Sequence, residues 1–299
     1  MTESAKATVW VAFAALCLLV ANAWLLPAQP DKSPAGQVCF YGVIGLAALL
    51  LSRRQLWTRR KRQGTGWLLV TAGASVLLLG LPATLNAWGQ ETLPDVSRAA
   101  LFGLTPFVVV VVVSGSDALS RDEPGVRRFF VPTLAAFAGA LLLLSFSFPL
   151  SSEGRVTMAV VLLAMALAGF ASAWMYRLLH ETGMMEALAV VCVANAIFYA
   201  VFRLPFDRGW NGVSSLLSIT PLYSLAELLL LVWLLRRMSP VLLAVRYLAV
   251  PLLIAIEAFV ILRPPWTVRM GVGLALLAGG AAYVLLSRSS DSDSVLSIR

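Results

Sequence analysis

The amino-acid sequence predicts an all-α fold, a polytopic membrane bundle of ten transmembrane helices arranged as two inverted five-helix repeats. Three observations carry that expectation. Ten apolar stretches separated by short polar loops run from Thr8 to Leu286. Lysine and arginine gather on alternate junctions between them. The order of proline, turn and glycine around the fourth and fifth stretches returns around the ninth and tenth.

Composition sets the class. The 299-residue chain is 60% hydrophobic and 13% charged, whereas a soluble domain carries roughly 25% charged residues. Crossing the ~30 Å hydrocarbon core takes roughly 20 helical residues, so ten spans use about two thirds of the chain. Loops and two short tails remain, with no room for a second globular domain. A net charge of +8 could suit nucleic acid, but the charges lie at the ends of apolar segments and not on one soluble face. Cys17, Cys39 and Cys192 fall in or beside apolar spans without paired spacing and read as small buried hydrophobes. His180 is the only histidine, which excludes a multi-histidine metal site. No nucleotide loop, acyl-transfer triad or metal-ligand cluster marks an enzyme, and no cofactor is expected.

Taken in order, the first span covers 7–26 and follows Lys6; it is longer than the apolar core of a signal peptide and is kept as a helix. The second, 36–52, is short and opens among Gly36, Gly42 and Gly45. The third, 66–85, follows the basic run at 53–62, which is expected to anchor topology at an anionic leaflet, a dedicated lipid-headgroup or nucleic-acid site being the alternative. The fourth, 97–115, contains Pro106, and the fifth, 128–147, has Pro132 in its first turn and Gly139 further on. The sixth covers 156–176. The seventh, 186–203, holds Asn195 and Tyr199, and Glu181 and Glu186 flank the loop before it, where both are expected to face water. The eighth, 213–235, holds Glu227. The ninth, 239–262, carries Arg246, Pro251 and Glu257, and the tenth, 267–286, is rich in glycine.

Charge fixes an orientation. Lys6, Arg53, Arg54, Arg59, Arg60, Lys61, Arg62, Arg121, Arg127, Arg128, Arg177, Arg236, Arg237, Arg288 and Arg299 fall on one side. Lys32, Arg98, Arg155, Arg203, Arg208, Arg263 and Arg269 fall on the other. The positive-inside rule then puts both termini in the cytoplasm, as an even number of spans requires. Trp24, Trp88, Trp210 and Trp266 would form the outer aromatic belt, and Trp57, Trp67 and Trp174 the inner one.

A repeat divides the chain into halves, 1–150 and 151–299. In the first, Pro106 is followed by an apolar run, a turn with Arg127, and Phe137-Ala138-Gly139-Ala140. In the second, Pro251 is followed by an apolar run, a turn with Arg269, and Ala278-Gly279-Gly280-Ala281. Five is odd, so a duplicated five-span unit inserts its second copy upside down. Such inverted repeats are a transporter signature, with substrate held near the midplane.

On these segments, the Leu104-Thr105-Pro106-Phe107 and Val250-Pro251-Leu252 stretches with the helices after them, the chain resembles the drug/metabolite transporter superfamily. It is most similar to the EamA-type branch. The resemblance implies ten helices in two inverted halves and the movement of small metabolites, often outward.

Ionisable residues inside spans are costly and so are default functional candidates. Glu227 and Arg246 are expected at nearly equal depth on adjacent antiparallel helices. They either form an ion pair that locks the eighth span to the ninth, or place one partner on a cavity. In the second case Glu227 exchanges a proton or Arg246 binds a substrate carboxylate. Asn195, with Tyr199 one turn along, either joins helices by hydrogen bonds or lines a cavity. Pro106 and Pro251 kink their helices and are gating candidates, although membrane helices also tolerate proline without a functional reason.

The expected function is a secondary transporter of a small organic solute by alternating access, with a proton as a candidate coupling ion. Its setting would be a bacterial-type inner membrane, as a monomer or homodimer among membrane lipids, with no nucleic acid partner. A non-transporting sensor or assembly partner is the alternative.

Overall fold

The computed structural model describes residues 3–25, 33–88, 93, 95–116, 119, 125–144, 146, 148–149, 151–204, 220–263 and 266–294. Lipid offers the backbone no hydrogen-bond partners, so a spanning chain closes its bonds along helices. Every regular element among the described residues is helical. Nine helices among them are long and apolar enough to cross a membrane. This is the make-up of a multi-pass helical membrane protein. Lys32, Arg121, Arg208, Trp210, Arg299 and residues 213–219 of the eighth span lie outside the described residues, as do the side chains of Trp24, Arg60, Lys61, Arg62 and Arg288.

The elements are α1 (Glu3–Ala21), α2 (Pro34–Ser75), α3 (Leu81–Trp88), α4 (Asp95–Phe102), α5 (Thr105–Gly115) and α6 (Phe130–Leu143). They continue with α7 (Ser152–Leu179), α8 (Met184–Phe202), α9 (Thr220–Arg237), α10 (Pro240–Ala244), α11 (Arg246–Leu262) and α12 (Val268–Ser294). Ser33 starts α2 by accepting from the Gly36 N–H at 3.1 Å, with Pro34 preset in the first turn. The second span extends to Arg59, beyond the expected 52, because nothing in Ser52-Arg-Arg-Gln-Leu-Trp-Thr-Arg59 breaks a helix.

The helical run through α2 and α3 holds two spans, Pro34–Arg59 and Thr65–Trp88. It cannot be straight. Gly45 packs on Cys192 and Val193 while Gly80 packs on Asn195 and Phe198, only a few residues further along α8. In a straight helix Gly45 and Gly80 would stand about 52 Å apart. The run therefore doubles back between Arg59 and Trp67, and its two arms lie along α8.

The fourth and ninth spans are broken. Gly103 and Leu104 form a turn between α4 and α5, and Val245 interrupts the ninth between α10 and α11. At Pro106 the structure differs from the expected proline kink. Pro106 sits in the first turn of α5, where its missing N–H is an orphan anyway, so it begins a segment and does not bend one. Pro251 lies inside α11, beyond the break at Val245.

Two compact units emerge, one from residues 1–83 and 174–238, the other from 84–173 and 239–299. Each draws on both sequence halves. In the second unit, α7 packs on the fourth span: Leu93, Leu101, Val161 and Met165 form a buried cluster, and Gly169 lies against Val108. Phe102 stacks on Tyr247, 6.2 Å between ring centroids, which ties α4 to α11.

In that unit α6 and α12 cross at close range. A Cβ at Gly139 would lie 2.7 Å from the Gly273 carbonyl oxygen and 2.5 Å from the Leu277 nitrogen. One at Gly280 would lie 2.5 Å from the Pro132 oxygen and 3.1 Å from the Ala136 nitrogen. These contacts are reciprocal. Gly139 and Gly280, Pro132 and Gly273, and Ala136 and Leu277 are each 141 residues apart in the sequence, the same step that aligns Gly139-Ala140 with Gly280-Ala281. The ends are tied in similar fashion: Arg128 donates to the Ser287 carbonyl at 3.3 Å, and Arg269 to the Leu142 carbonyl at 3.1 Å. Arg269 thereby meets the negative end of α6, whereas Ser287 lies two turns inside α12.

Candidate functional site

In the unit of residues 1–83 and 174–238, polar side chains meet inside the spans. Asn195 is wholly buried on α8. Its Nδ2 donates to the Val191 carbonyl at 2.8 Å and, more weakly, to Ser75 Oγ at 3.4 Å. The Val191 acceptor fixes which way the amide points. Asn195 Oδ1 is then left buried without a hydrogen-bond partner. Gly80 makes the room: a Cβ there would stand 2.7 Å from that oxygen. Gly80 ends a π-helical turn, Val76–Gly80, directly after Ser75. Such widened turns recur at functional sites because they spoil the regular backbone ladder.

One turn from Asn195, Tyr199 is buried and stacks on Tyr41, with ring centroids 5.9 Å apart and planes within 10°. Cys192 is buried one turn the other way. Glu227 of α9 lies close enough to act electrostatically on the Tyr41 hydroxyl, and Arg203 does so on Tyr199. Asn195, Tyr199 and Glu227 are thus brought into one neighbourhood, completed by Ser75 and Tyr41. Its chemistry is that of acceptors and hydroxyls: an amide oxygen, a serine, two phenols and a carboxylate. These groups can accept hydrogen bonds from a donor placed among them. Among the described residues no group of three or more His, Cys, Asp or Glu could hold a metal ion.

The other three sequence candidates belong to the second unit. Arg246 opens α11 and donates to Tyr247 Oη at 2.9 Å, its guanidinium 4.8 Å from that ring's centroid. Pro106 and Pro251 are buried. Thr105, beside Pro106, keeps a buried hydroxyl without a hydrogen-bond partner. Arg98 is also buried and donates to Asn86, at 2.6 Å to its carbonyl and 3.2 Å to its side-chain oxygen.

The end of the first unit that carries the basic run corrects one expectation. Glu186 does not face water: it is 6% exposed. Its carboxylate accepts from the Gly183 N–H at 2.9 Å and pairs with Arg59 at 3.5 Å. The cause is its place at the third position of α8, from which the carboxylate reaches back to the free N–H of Gly183 at the helix start, one half of a capping box. Arg59 also donates to the Glu181 carbonyl at 2.7 Å. Arg236 donates to the Thr182 carbonyl, and the Arg236 carbonyl meets His180 Nδ1 at 3.2 Å. Burial, with Arg237 beside it, lowers the basicity of Arg236 from the ordinary arginine value; Arg59 acts in the same sense and Glu186 in the opposite one. Arg236 lies just beyond the expected 213–235 span.

Neither a family model nor a curated protein matches the sequence. A crystal structure of a protein is similar to this chain with a TM-score of 0.66, at 19% identity, over 95% of this chain and 98% of the other. That likeness shows a fold held in common over nearly the whole length of both chains.

Proposed function

We propose that the chain is a ten-helix secondary transporter that moves a small organic solute across a bacterial-type inner membrane by alternating access between two inverted halves. Both termini lie in the cytoplasm, and the protein belongs with the drug/metabolite transporters that its sequence resembles. The observation that carries the proposal is the buried, partnerless Asn195 oxygen among Ser75, Tyr41, Tyr199 and Glu227. An unsatisfied acceptor is expensive in lipid, and a solute's donor would relieve it.

Other features support the reading. The fourth and ninth spans are both interrupted, as transporter helices are where they contact substrate or hinge. The 141-residue correspondence at the α6–α12 crossing agrees with a repeat whose second copy is inverted. The junctions after the second, sixth and eighth spans converge at Arg59, Glu181 and Arg236, as an even number of crossings between them demands. α9, which lies in the expected eighth span, would bring the nine long apolar helices among the described residues to ten.

Proteoliposomes holding the purified chain test the proposal against amino acids, amphipathic amines and nucleosides. Uptake above that of empty liposomes, lost in Asn195→Leu, is the expected result. No uptake of any class by the unaltered chain would leave the carrier reading without support. If a proton is coupled, Glu227 carries it, and Glu227→Gln transports with no pH dependence.

A further inference from the structure

Two cavities meet at the end of the first unit that carries the basic run. The larger, about 700 Å³, is an apolar groove walled by Leu49, Trp57, Leu69, Ala72, Val193 and Ile197, with Arg53 and Arg54 also on its lining. It lies between the two arms of α2 and the face of α8. The smaller, about 360 Å³, is lined by the polar residues Arg54, Gln55, Thr58, Arg59 and Glu186. Arg54 belongs to both.

The charges decide what suits this pair of cavities. Glu186 is satisfied by Arg59 and the Gly183 N–H. Among the described residues, neither Arg53 nor Arg54 has an acceptor for its guanidinium. The site therefore has an apolar trough, two uncompensated cations at its mouth, and a recess lined by polar residues beyond them. In a membrane such a trough opens to lipid chains. A guanidinium fork matches a phosphate diester in two-pronged geometry, and a basic run draws anionic lipid to the surface. Trp57, exposed beside the arginines, has the amphipathic shape that settles at headgroup level.

We propose that the two cavities form one binding site for an anionic phospholipid of the leaflet on the basic side. One acyl chain lies in the groove, the phosphate sits on Arg53 and Arg54, and the headgroup enters the recess beside Gln55 and Thr58. The site needs only a membrane location and stands apart from the transport proposal.

The test uses the full purified chain in detergent, with phosphatidylglycerol, phosphatidylcholine of the same acyl chains, or glycerol phosphate added. Thermal unfolding is read for each, and native mass spectrometry counts the lipids retained. Phosphatidylglycerol raises the apparent Tm more than phosphatidylcholine does, and one molecule stays bound. Glycerol phosphate gives no shift, because it has no chain for the groove. Arg53→Gln/Arg54→Gln abolishes the difference between the two lipids, Arg53→Lys/Arg54→Lys retains part of it, and Ala72→Trp, which fills the groove, lowers retention of the lipid. Both exposed arginines can change without disturbing the fold, and lipid-free unfolding of each variant checks that. Equal shifts from the two lipids, a preference that survives in Arg53→Gln/Arg54→Gln, or an equal shift from glycerol phosphate would overturn the proposal.

Discussion

Replacing Gly139 by alanine adds a single carbon at the close crossing of α6 and α12 in the second unit. That carbon would stand 2.5 Å from the Leu277 nitrogen and 2.7 Å from the Gly273 oxygen. Both neighbours are backbone of α12, so no side chain can swing away. Restoring ordinary carbon contact distances of about 3.5 Å means parting the helices by roughly 1 Å. Overpacking of this kind costs about 1–3 kcal/mol, and the separation also strains the Arg128 and Arg269 ties at the two ends. Gly280→Ala, 2.5 Å from the Pro132 oxygen, should cost a similar amount, because it is the reciprocal contact. Gly279 is the control: it is exposed and a Cβ there meets nothing within 4 Å. Gly279→Ala should be neutral or stabilising by up to about 1 kcal/mol. The assay is equilibrium unfolding in mixed micelles, followed by circular dichroism. Gly139→Ala and Gly280→Ala unfolding like the unaltered chain, or all three variants behaving alike, would refute the packing argument.

Arg59→Met leaves the Glu186 carboxylate buried without its cation, and should destabilise by about 2–3 kcal/mol, less than a fully buried pair because Arg59 is partly exposed. Adding Glu186→Gln should recover part of that loss in the same unfolding assay. Asn195→Leu removes one weak interhelical bond and a costly orphan oxygen, so its stability should stay within about 1 kcal/mol of the unaltered chain while uptake is lost. Ser239→Ala removes the cap on the Leu242 N–H at the start of α10 and should cost about 1 kcal/mol.

The spans were legible because a membrane demands about 20 apolar residues and punishes interruption by charge. The close packing of α6 and α12 was also legible in Gly139, Gly273 and Gly280, since small residues are what let two backbones meet. Asn195, Tyr199 and Glu227 stood out as polar residues in apolar runs. Ser75 and Tyr41 did not, because a serine or tyrosine in a span is common and only the fold-back of α2 onto α8 places them beside Asn195. The breaks were misplaced for a related reason. Proline is the visible signal, but the turns fall at Gly103–Leu104 and at Val245, and Pro106 begins the segment after the first of them. Glu186 was read as solvated because a glutamate near a loop usually is. The glycine three residues ahead was the available sign that it caps a helix.

The carrier account requires Asn195 and Ser75 to border a gap that opens to each side of the membrane in turn. With Cys17, Cys39 and Cys192 replaced by alanine, a cysteine at position 75 can be probed by a membrane-impermeant thiol reagent in vesicles of each orientation. Labelling from both faces, slowed by a transported solute, is the outcome expected of a carrier. A thiol that stays unreactive from both sides would mean a sealed bundle, and the protein would then not be a transporter of this design.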